Sequence, residues 1–456
     1  MRNMPENFGG NFGSTVLDPL GFVILLACAI YLLTCKRALA LVPFLIIASV
    51  LPQSLRLVIL TLDFSMVRTI IMIGLMRLIM KNETSYFKYT TADKLVISFL
   101  VAKTFFATIL HANFGIVVQN IGFALDAFGA YFIARCCIRS FDDLRKMLPY
   151  VAVLVCLMAP LYWFEFSTAY NLFSVFDGVS SDAWIRNGEI RARGPMPHAI
   201  LAGCFWACFA PLFLAFVWRP NSKRPLYIIA ILSILLITIS ASSSTPLFSL
   251  IAGFGGWGMY RFRKHLRVIR WYTFISLIIL HFSMNTPVWH LISRVSFSSS
   301  STGYFRFLLI DSAVNHAREW ILIGTKYTGH WFYGAQDITN QFILVGVQGG
   351  IIPLTLFIAQ IVVAYRGLGI ILDFHKKNKY DTFLAWGLGA SLLVHLTNFI
   401  GVSYFGQIVV LWYSLLGVIA SLEFSTRQQA KREKTIRDGH TQNPKDDASL
   451  TEKTSF

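Results

Sequence analysis

One feature recurs along the whole chain: apolar runs of about twenty residues, separated by short and often basic loops. A helix rising 1.5 Å per residue needs about that length to cross the ~30 Å hydrocarbon core of a bilayer. In hydrocarbon every backbone N–H and C=O must be bonded internally, so such runs fold as helices. They are expected at approximately 16–35, 38–55, 57–80, 94–112, 115–136, 147–166, 198–217, 225–240, 245–260, 270–284, 341–365, 382–400 and 404–422. Leu51-Pro52-Gln53-Ser54 joins the second run to the third, and one member of that pair is compatible with a re-entrant segment. The expected fold class is an all-α polytopic membrane protein with about 12–13 transmembrane helices. Residues 1–15 read as a polar N-terminal segment and 16–422 as a single integral-membrane domain. Residues 423–456, mixed in charge and polar, read as a disordered cytoplasmic tail.

Charge settles the expected orientation. The formal net charge is +17, yet only 14% of residues are charged, against about a quarter in soluble proteins. The cations gather in alternate loops: Lys36-Arg37; Arg77, Lys81 and Lys88; Arg135 to Lys146; Arg219 to Arg224; Arg261 to Arg270; Lys376 to Lys379. This is the positive-inside pattern, and it makes those loops cytoplasmic. It also accounts for the basic balance without a nucleic-acid partner. All seven cysteines lie in or beside apolar runs, with no disulfide or metal spacing, and read as packing residues. Met1 to Ser14 is polar, and no cleavable signal is expected.

Two of the remaining, external loops are long: about 167–197 and about 285–340. Loops of this length inside a compact domain are usually functional. The first ends in Arg191-Ala192-Arg193-Gly194-Pro195-Met196-Pro197-His198, at the mouth of an apolar helix. Arg191 and Arg193 are suited either to lipid phosphates and Glu189, or to a substrate phosphate that a guanidinium fork grips in bidentate fashion. The second holds an outer helix over Thr302 to Trp320. Its apolar face takes in Phe305, Leu309, Ile310, Ala313, Ala317 and Trp320. Arg306 falls on that face, where it either snorkels to the rim or points into a polar cavity. General-base candidates are His198, His330, Asp337 and Glu189. Within the membrane, Asp126 is either a functional carboxylate, as intramembrane acids often are, or pairs with a neighbouring helix through Arg68, the favoured reading. Ser240 to Thr245 reads as a tight hairpin or a hydroxyl-lined floor beneath the outer loops.

At these two segments the chain resembles the O-antigen polymerase and O-antigen ligase superfamily of bacterial envelope enzymes. The pieces that carry the resemblance are Arg191-x-x-Gly194-Pro195-x-x-His198-Ala199, Tyr304-x-Arg306, and Gly324 through Asp337-x-x-Asn340-x-x-Ile343-Leu344. Val347-Gln348-Gly349-Gly350-Ile351-Ile352-Pro353-Leu354 follows. The resemblance covers about 40 to 420. It implies a metal-independent, cofactor-free inverting glycosyltransferase at the outer face of the bacterial inner membrane. Its donor would be a polyprenyl-pyrophosphate-linked glycan, its acceptor a second glycan, and its partners membrane lipid, a flippase and a chain-length regulator. Arg191 and Arg306 match the family's essential arginines. Arg193, Gly194, Trp331 and Asn340 would bind substrate, and His198, His330 and Asp337 are catalytic candidates. Ligases often carry histidine before the asparagine that Asn340 matches, but here the residue is Thr339. That departure weakens the ligase reading and a simple histidine-base assignment, and the shape of the sequence around Arg191 leans towards an exopolysaccharide or O-antigen polymerase. A ligase and a transporter or flippase of an anionic lipid-linked substrate are the alternatives.

Overall fold

The computed structural model describes residues 15–59, 62–220, 223–294 and 303–441. Residues 1–14 of the polar N-terminal segment and 442–456 of the tail lie outside it. About 75% of the chain is helical, which places the fold in the all-α class. In order, the elements are α1 (Pro19–Thr34), α2 (Leu41–Val50), β1 (Arg56–Ile59), β2 (Leu62–Ser65), α3 (Met66–Met80), α4 (Thr91–His111), α5 (Phe114–Cys137) and α6 (Phe141–Thr168). Then come β3 (Trp184–Arg186), β4 (Glu189–Arg191), α7 (Ala199–Ala207), α8 (Ala210–Val217), α9 (Arg224–Ser240), α10 (Ser244–Gly258) and α11 (Leu266–Ser283). The chain continues with α12 (Gly303–Asn315), α13 (Ala317–Trp320), α14 (Gln341–Gly349), α15 (Ile351–Phe374), α16 (Lys379–Gly401) and α17 (Gln407–Thr441).

Several helix starts are capped by side chains that accept from otherwise unpaired amides. Asp18 caps α1, accepting from the Gly21 amide at 2.8 Å. Thr90 with Asp93, and Ser140 with Asp143, form capping boxes on α4 and α6. Asn113, Asn340 and Asn378 cap α5, α14 and α16. Eight helical stretches are long and apolar enough to cross a membrane by length and composition, and three shorter apolar helices accompany them.

Several expected boundaries are corrected. The apolar run 57–80 is not one helix: β1 and β2 pair antiparallel, and α3 begins only at Met66. A second hairpin, β3–β4, turns at Asn187 and Gly188, both with positive φ, so the fold is not purely helical. The run 198–217 breaks between α7 and α8, where Pro211 has no amide to continue the ladder. The run 341–365 breaks at Gly350, whose φ of +80° suits glycine. The expected disordered tail is also corrected. α17 continues unbroken to Thr441, because 423–441 contains no proline and its single glycine comes late.

One apolar core runs through α1–α10 and α14–α17. A second, smaller core joins α12 to the loop above α14, with Leu309, Ala313, Trp331, Ala335, Ile338 and Val347 at its centre. α11 has no buried residue and presents Trp271, Phe274, Ile275, Leu277, Ile279 and Phe282 outward, as a lipid-facing helix would. After α11 the chain is tied back to α12 by Trp289, whose indole donates to Asp311 at 3.1 Å.

The two ends of the bundle differ electrostatically. At one end the arginines are matched to carboxylates: Arg37 to Asp143 at 3.0 Å, Arg77 to Glu83 at 2.8 Å, Arg135 to Asp93 at 3.3 Å, and Arg145 to Asp142 and Asp381. Arg77 and Arg135 are 1% and 0% exposed, so these pairs carry the cost of desolvation together. Partway along the bundle Arg68 grips Asp126 with two bonds of 2.9 and 2.8 Å, the pairing expected from the sequence. Glu83→Ala leaves Arg77 buried with its bonds to Leu32 and Cys35 but without a counter-ion. We expect a loss of roughly 3–5 kcal/mol, read as an earlier denaturant unfolding transition in detergent micelles; an unchanged transition contradicts a structural role for the pair.

Candidate functional site

The other end is organised around the turn Ser240 to Thr245, which joins α9 to α10. The Ala192 amide donates to the Ser240 carbonyl at 2.9 Å, and the Arg191 Nε approaches the Ala241 carbonyl at 3.5 Å. The Ser242 hydroxyl donates to the Ile190 carbonyl at 2.7 Å. From the opposite side Arg306 Nη2 donates to the Thr245 hydroxyl at 2.7 Å. The turn is therefore both things the sequence left open, a tight hairpin and a polar floor. It joins the segment that carries Arg191 to the helix that carries Arg306. α12 can approach because α16 ends there in Gly401: a β-carbon at that position would lie 2.7 Å from Thr245 Oγ1 and 3.2 Å from Arg306 Nε.

The backbone around the arginines is fixed by one buried carboxylate. Glu165, fully buried near the end of α6, accepts from the Arg193 amide at 3.0 Å and the Gly194 amide at 2.8 Å. The Gly194 carbonyl accepts from the buried Asn171 at 3.0 Å, and the Pro195 carbonyl from Gln407 at 3.4 Å. Gly194 has φ +55°, and a β-carbon there would sit 2.6 Å from the Tyr162 ring. No other residue fits that conformation and that space together. The Arg193 guanidinium lies over Trp184 of β3, 5.5 Å from the ring centre.

Glu165 is committed to backbone amides and forms no side-chain ion pair, although its charge still favours the Arg193 guanidinium from a distance. Among the described residues, Arg191, Arg193 and Arg306 have no ion-pair carboxylate, although Arg191 and Arg306 are only 5% and 8% exposed. Burial, and behind it the nearby Arg186, pull the Arg191 guanidinium below its ordinary value. Burial pulls Arg193 and Arg306 down in the same direction. Nε of Arg193 and of Arg306 are buried with no hydrogen-bond partner. Desolvated guanidiniums without a counter-ion are groups whose chemistry favours an oxyanion ligand.

The other expected site residues divide into two groups. His198 sits with the arginines. Its Nδ1 accepts from the Ile200 amide at 3.2 Å, capping α7, and its ring packs edge-on against Trp184 at 5.0 Å. Burial first, then Arg191, Arg186 and Arg193, lower its pKa to about 4. With Nδ1 accepting, the neutral ring carries its proton on Nε2. It is thus placed as a hydrogen-bond donor, against the expectation of a general base. Asn340 also reaches this end: its side chain caps α14 and its Nδ2 approaches the Ile400 carbonyl, next to Gly401, at 3.4 Å.

His330 and Trp331 do not join the arginines. Both bond to Glu319, at 2.9 and 3.1 Å, beyond the C-terminal end of α12. Ten residues of helix, about 15 Å of rise, separate Arg306 from His316 beside them. Asp337 is exposed in the turn that begins at Gly334, with its amide bonded to the Gly334 carbonyl at 3.1 Å.

The residues missed in the sequence are Glu165 and Lys103. Glu165 had a signal, a lone carboxylate in Trp163-Phe164-Glu165-Phe166. Lys103 of α4 lies 3.6 Å from the centre of the Phe123 ring. It lines a cavity in the bundle with Gln341, Gln348, Tyr404 and Trp412. Gln341 follows Asn340 and accepts from the Tyr404 amide at 2.7 Å, so the cavity reaches towards the arginine end.

No protein-family model matches the chain, and no curated protein is detectably similar to it. The functional reading therefore rests on this geometry and on the motifs.

Two outcomes follow from the site. The folded-state pKa of His198 lies below its ordinary 6.5, so the unfolded chain binds the proton more tightly. The stability His198 contributes is complete above about pH 6.5 and is lost as the pH falls towards about 4. His198→Asn keeps a capping side chain and should flatten that pH slope in unfolding titrations; an unchanged slope excludes His198 as its source. Gly194→Ala should destabilise the fold by at least about 1–3 kcal/mol through strain and overlap with Tyr162, seen as a lowered Tm. A wild-type Tm would mean that the segment is not held as described.

Proposed function

We propose that the chain is a membrane glycosyltransferase that polymerises or transfers polyprenyl-pyrophosphate-linked oligosaccharide units. The observation that carries this reading is the set of three buried or half-buried arginines without carboxylate partners, held over a helical bundle. Every other deeply buried arginine named above has an acid. A pyrophosphate leaving group needs guanidiniums placed where its charge develops. Its prenyl chain needs apolar helices, and its glycan needs open water. A site at one end of a membrane bundle meets all three needs. Arg191 and Arg306 hold the pyrophosphate, and Arg193 assists from the ring of Trp184. His198 donates through Nε2 to a phosphate or sugar oxygen, and Asn340 orders the end of α14 beside them. By the charge of the opposite loops this end faces outward, which for a bacterial inner membrane is the periplasm.

Polymerisation into exopolysaccharide or O-antigen is favoured over ligation to lipid A core or protein, since Thr339 takes the place where ligases often have histidine. A transporter or flippase of the same lipid is the second reading. Lys103 in the bundle cavity favours it, because a cation placed along a membrane path suits translocation.

Arg191→Ala and Arg306→Ala should each lower polymer formation by roughly 10²–10³-fold, the cost of removing one preorganised group that stabilises developing charge, while the protein still inserts. The readout is an envelope-glycan gel. Loss of a polymerase leaves single repeat units, loss of a ligase leaves long polyprenyl-linked chains, and loss of a flippase leaves neither outside. Normal chain-length distribution in both variants contradicts the proposal.

A further inference from the structure

At the far end of α12, away from the arginines, three side chains of metal-binding type converge. The ligand atoms of His316, Glu319 and His330 all lie within 4.8 Å of one another. The grouping owes nothing to the apolar pattern. His316 closes α12 and opens α13, Glu319 follows on α13, and His330 returns from the loop beyond.

We propose that His316, Glu319 and His330 form a site for a divalent transition metal, best matched by Zn²⁺, that clasps the loop after α13 to the end of α12. Two histidines and one carboxylate are a favoured donor set for zinc, and they leave a fourth tetrahedral position open to water. Part of the second shell is already in place, and a metal would displace the proton shared between His330 and Glu319. His316 Nδ1 lies 2.9 Å from the Ser312 carbonyl, so that nitrogen carries the proton and Nε2 keeps its lone pair for the metal. A ligating histidine is usually oriented in this way. Trp331 Nε1 donates to Glu319 Oε2 at 3.1 Å, and His330 Nε2 meets the same oxygen at 2.9 Å. Both bonds use Oε2, which leaves Oε1 free of them. The indole of Trp331 stacks on His316, with ring centres 5.4 Å apart and 18° between planes, and Tyr327 stacks on His330 at 5.9 Å. These rings hold both imidazoles close to the positions a metal needs. Metal–ligand bonds of about 2.0–2.2 Å place ligands roughly 3.3 Å apart, and small side-chain rotations reach that spacing.

The site stands apart from the catalytic proposal. It is about 15 Å of helix from Arg306, and the transfer reaction needs no metal. Its physical consequence is to fasten the small core of Leu309, Ala313, Trp331 and Ala335, and thereby the helix that carries Arg306.

The test uses the full chain in detergent micelles, freed of metal by chelation and titrated with Co²⁺, whose visible d–d absorption reports nitrogen and oxygen ligands. Zn²⁺ is then added in competition. Wild-type protein should develop the band and lose it to Zn²⁺. His316→Gln, Glu319→Gln and His330→Gln should each weaken binding at least tenfold, and Zn²⁺ should raise the Tm of wild type only. His265→Ala, an exposed histidine elsewhere, should bind as wild type does. If no band appears, or if the three variants keep wild-type affinity at unchanged elution volume, the cluster is a hydrogen-bonded His–Glu pair and the proposal fails.

Discussion

Burying a cation costs several kcal/mol unless an anion accompanies it, and this bundle meets that constraint in two different ways. At one end Arg37, Arg77, Arg135 and Arg145 have carboxylates within ion-pair reach. At the other end Arg191 and Arg306 are also buried, yet among the described residues their near acceptors are carbonyl and hydroxyl oxygens rather than carboxylates. The one deeply buried acid nearby, Glu165, spends both oxygens on backbone amides. This asymmetry leaves unfavourable electrostatic energy at that end, which the proposed phosphorylated ligand would relieve.

The rest of the architecture keeps that end rigid. α6 supplies Glu165 and Asn171 follows it, α9 and α10 supply the serine-rich turn, α16 ends in the glycine that admits α12, and α17 begins with Gln407 beneath Pro195. Elements far apart in sequence thus converge on a stretch of about eight residues. Preorganisation is the property a charge-stabilising site needs, since donors that are already placed do not have to reorient as the charge develops.

Much of this was legible in the sequence. Run length gave the helical membrane class, the lysines and arginines gave the opposed ends, and Asp126 with Arg68 gave an internal pair. Arg191 and Arg193 stand out at the mouth of an apolar helix, and Arg306 on the apolar face of an outer helix. The rest depended on contacts that no local pattern encodes. The 57–80 run is apolar by composition whether it is helix or hairpin, so β1 and β2 were hidden, whereas Asn187-Gly188 was an unread hairpin signal. Glu165 is separated from Arg193 by 28 positions, and its partners are backbone amides with no sequence signature. His330 shared a loop with Asp337 and Asn340 and was grouped with the arginines on that ground. The fold carries it to Glu319 instead, because α12 separates the two ends of that loop.

The central claim is that the desolvated arginines form a pyrophosphate receptor. Calorimetric titration of the micellar protein with a short-chain prenyl pyrophosphate, and in parallel with the matching prenyl alcohol, tests it most directly. A charged hydrogen bond contributes about 1.5–3 kcal/mol, so the account predicts that the pyrophosphate binds and the alcohol does not compete. It also predicts at least about tenfold weaker binding for each of Arg191→Ala and Arg306→Ala. Equal affinity in wild type and in the double variant would contradict it.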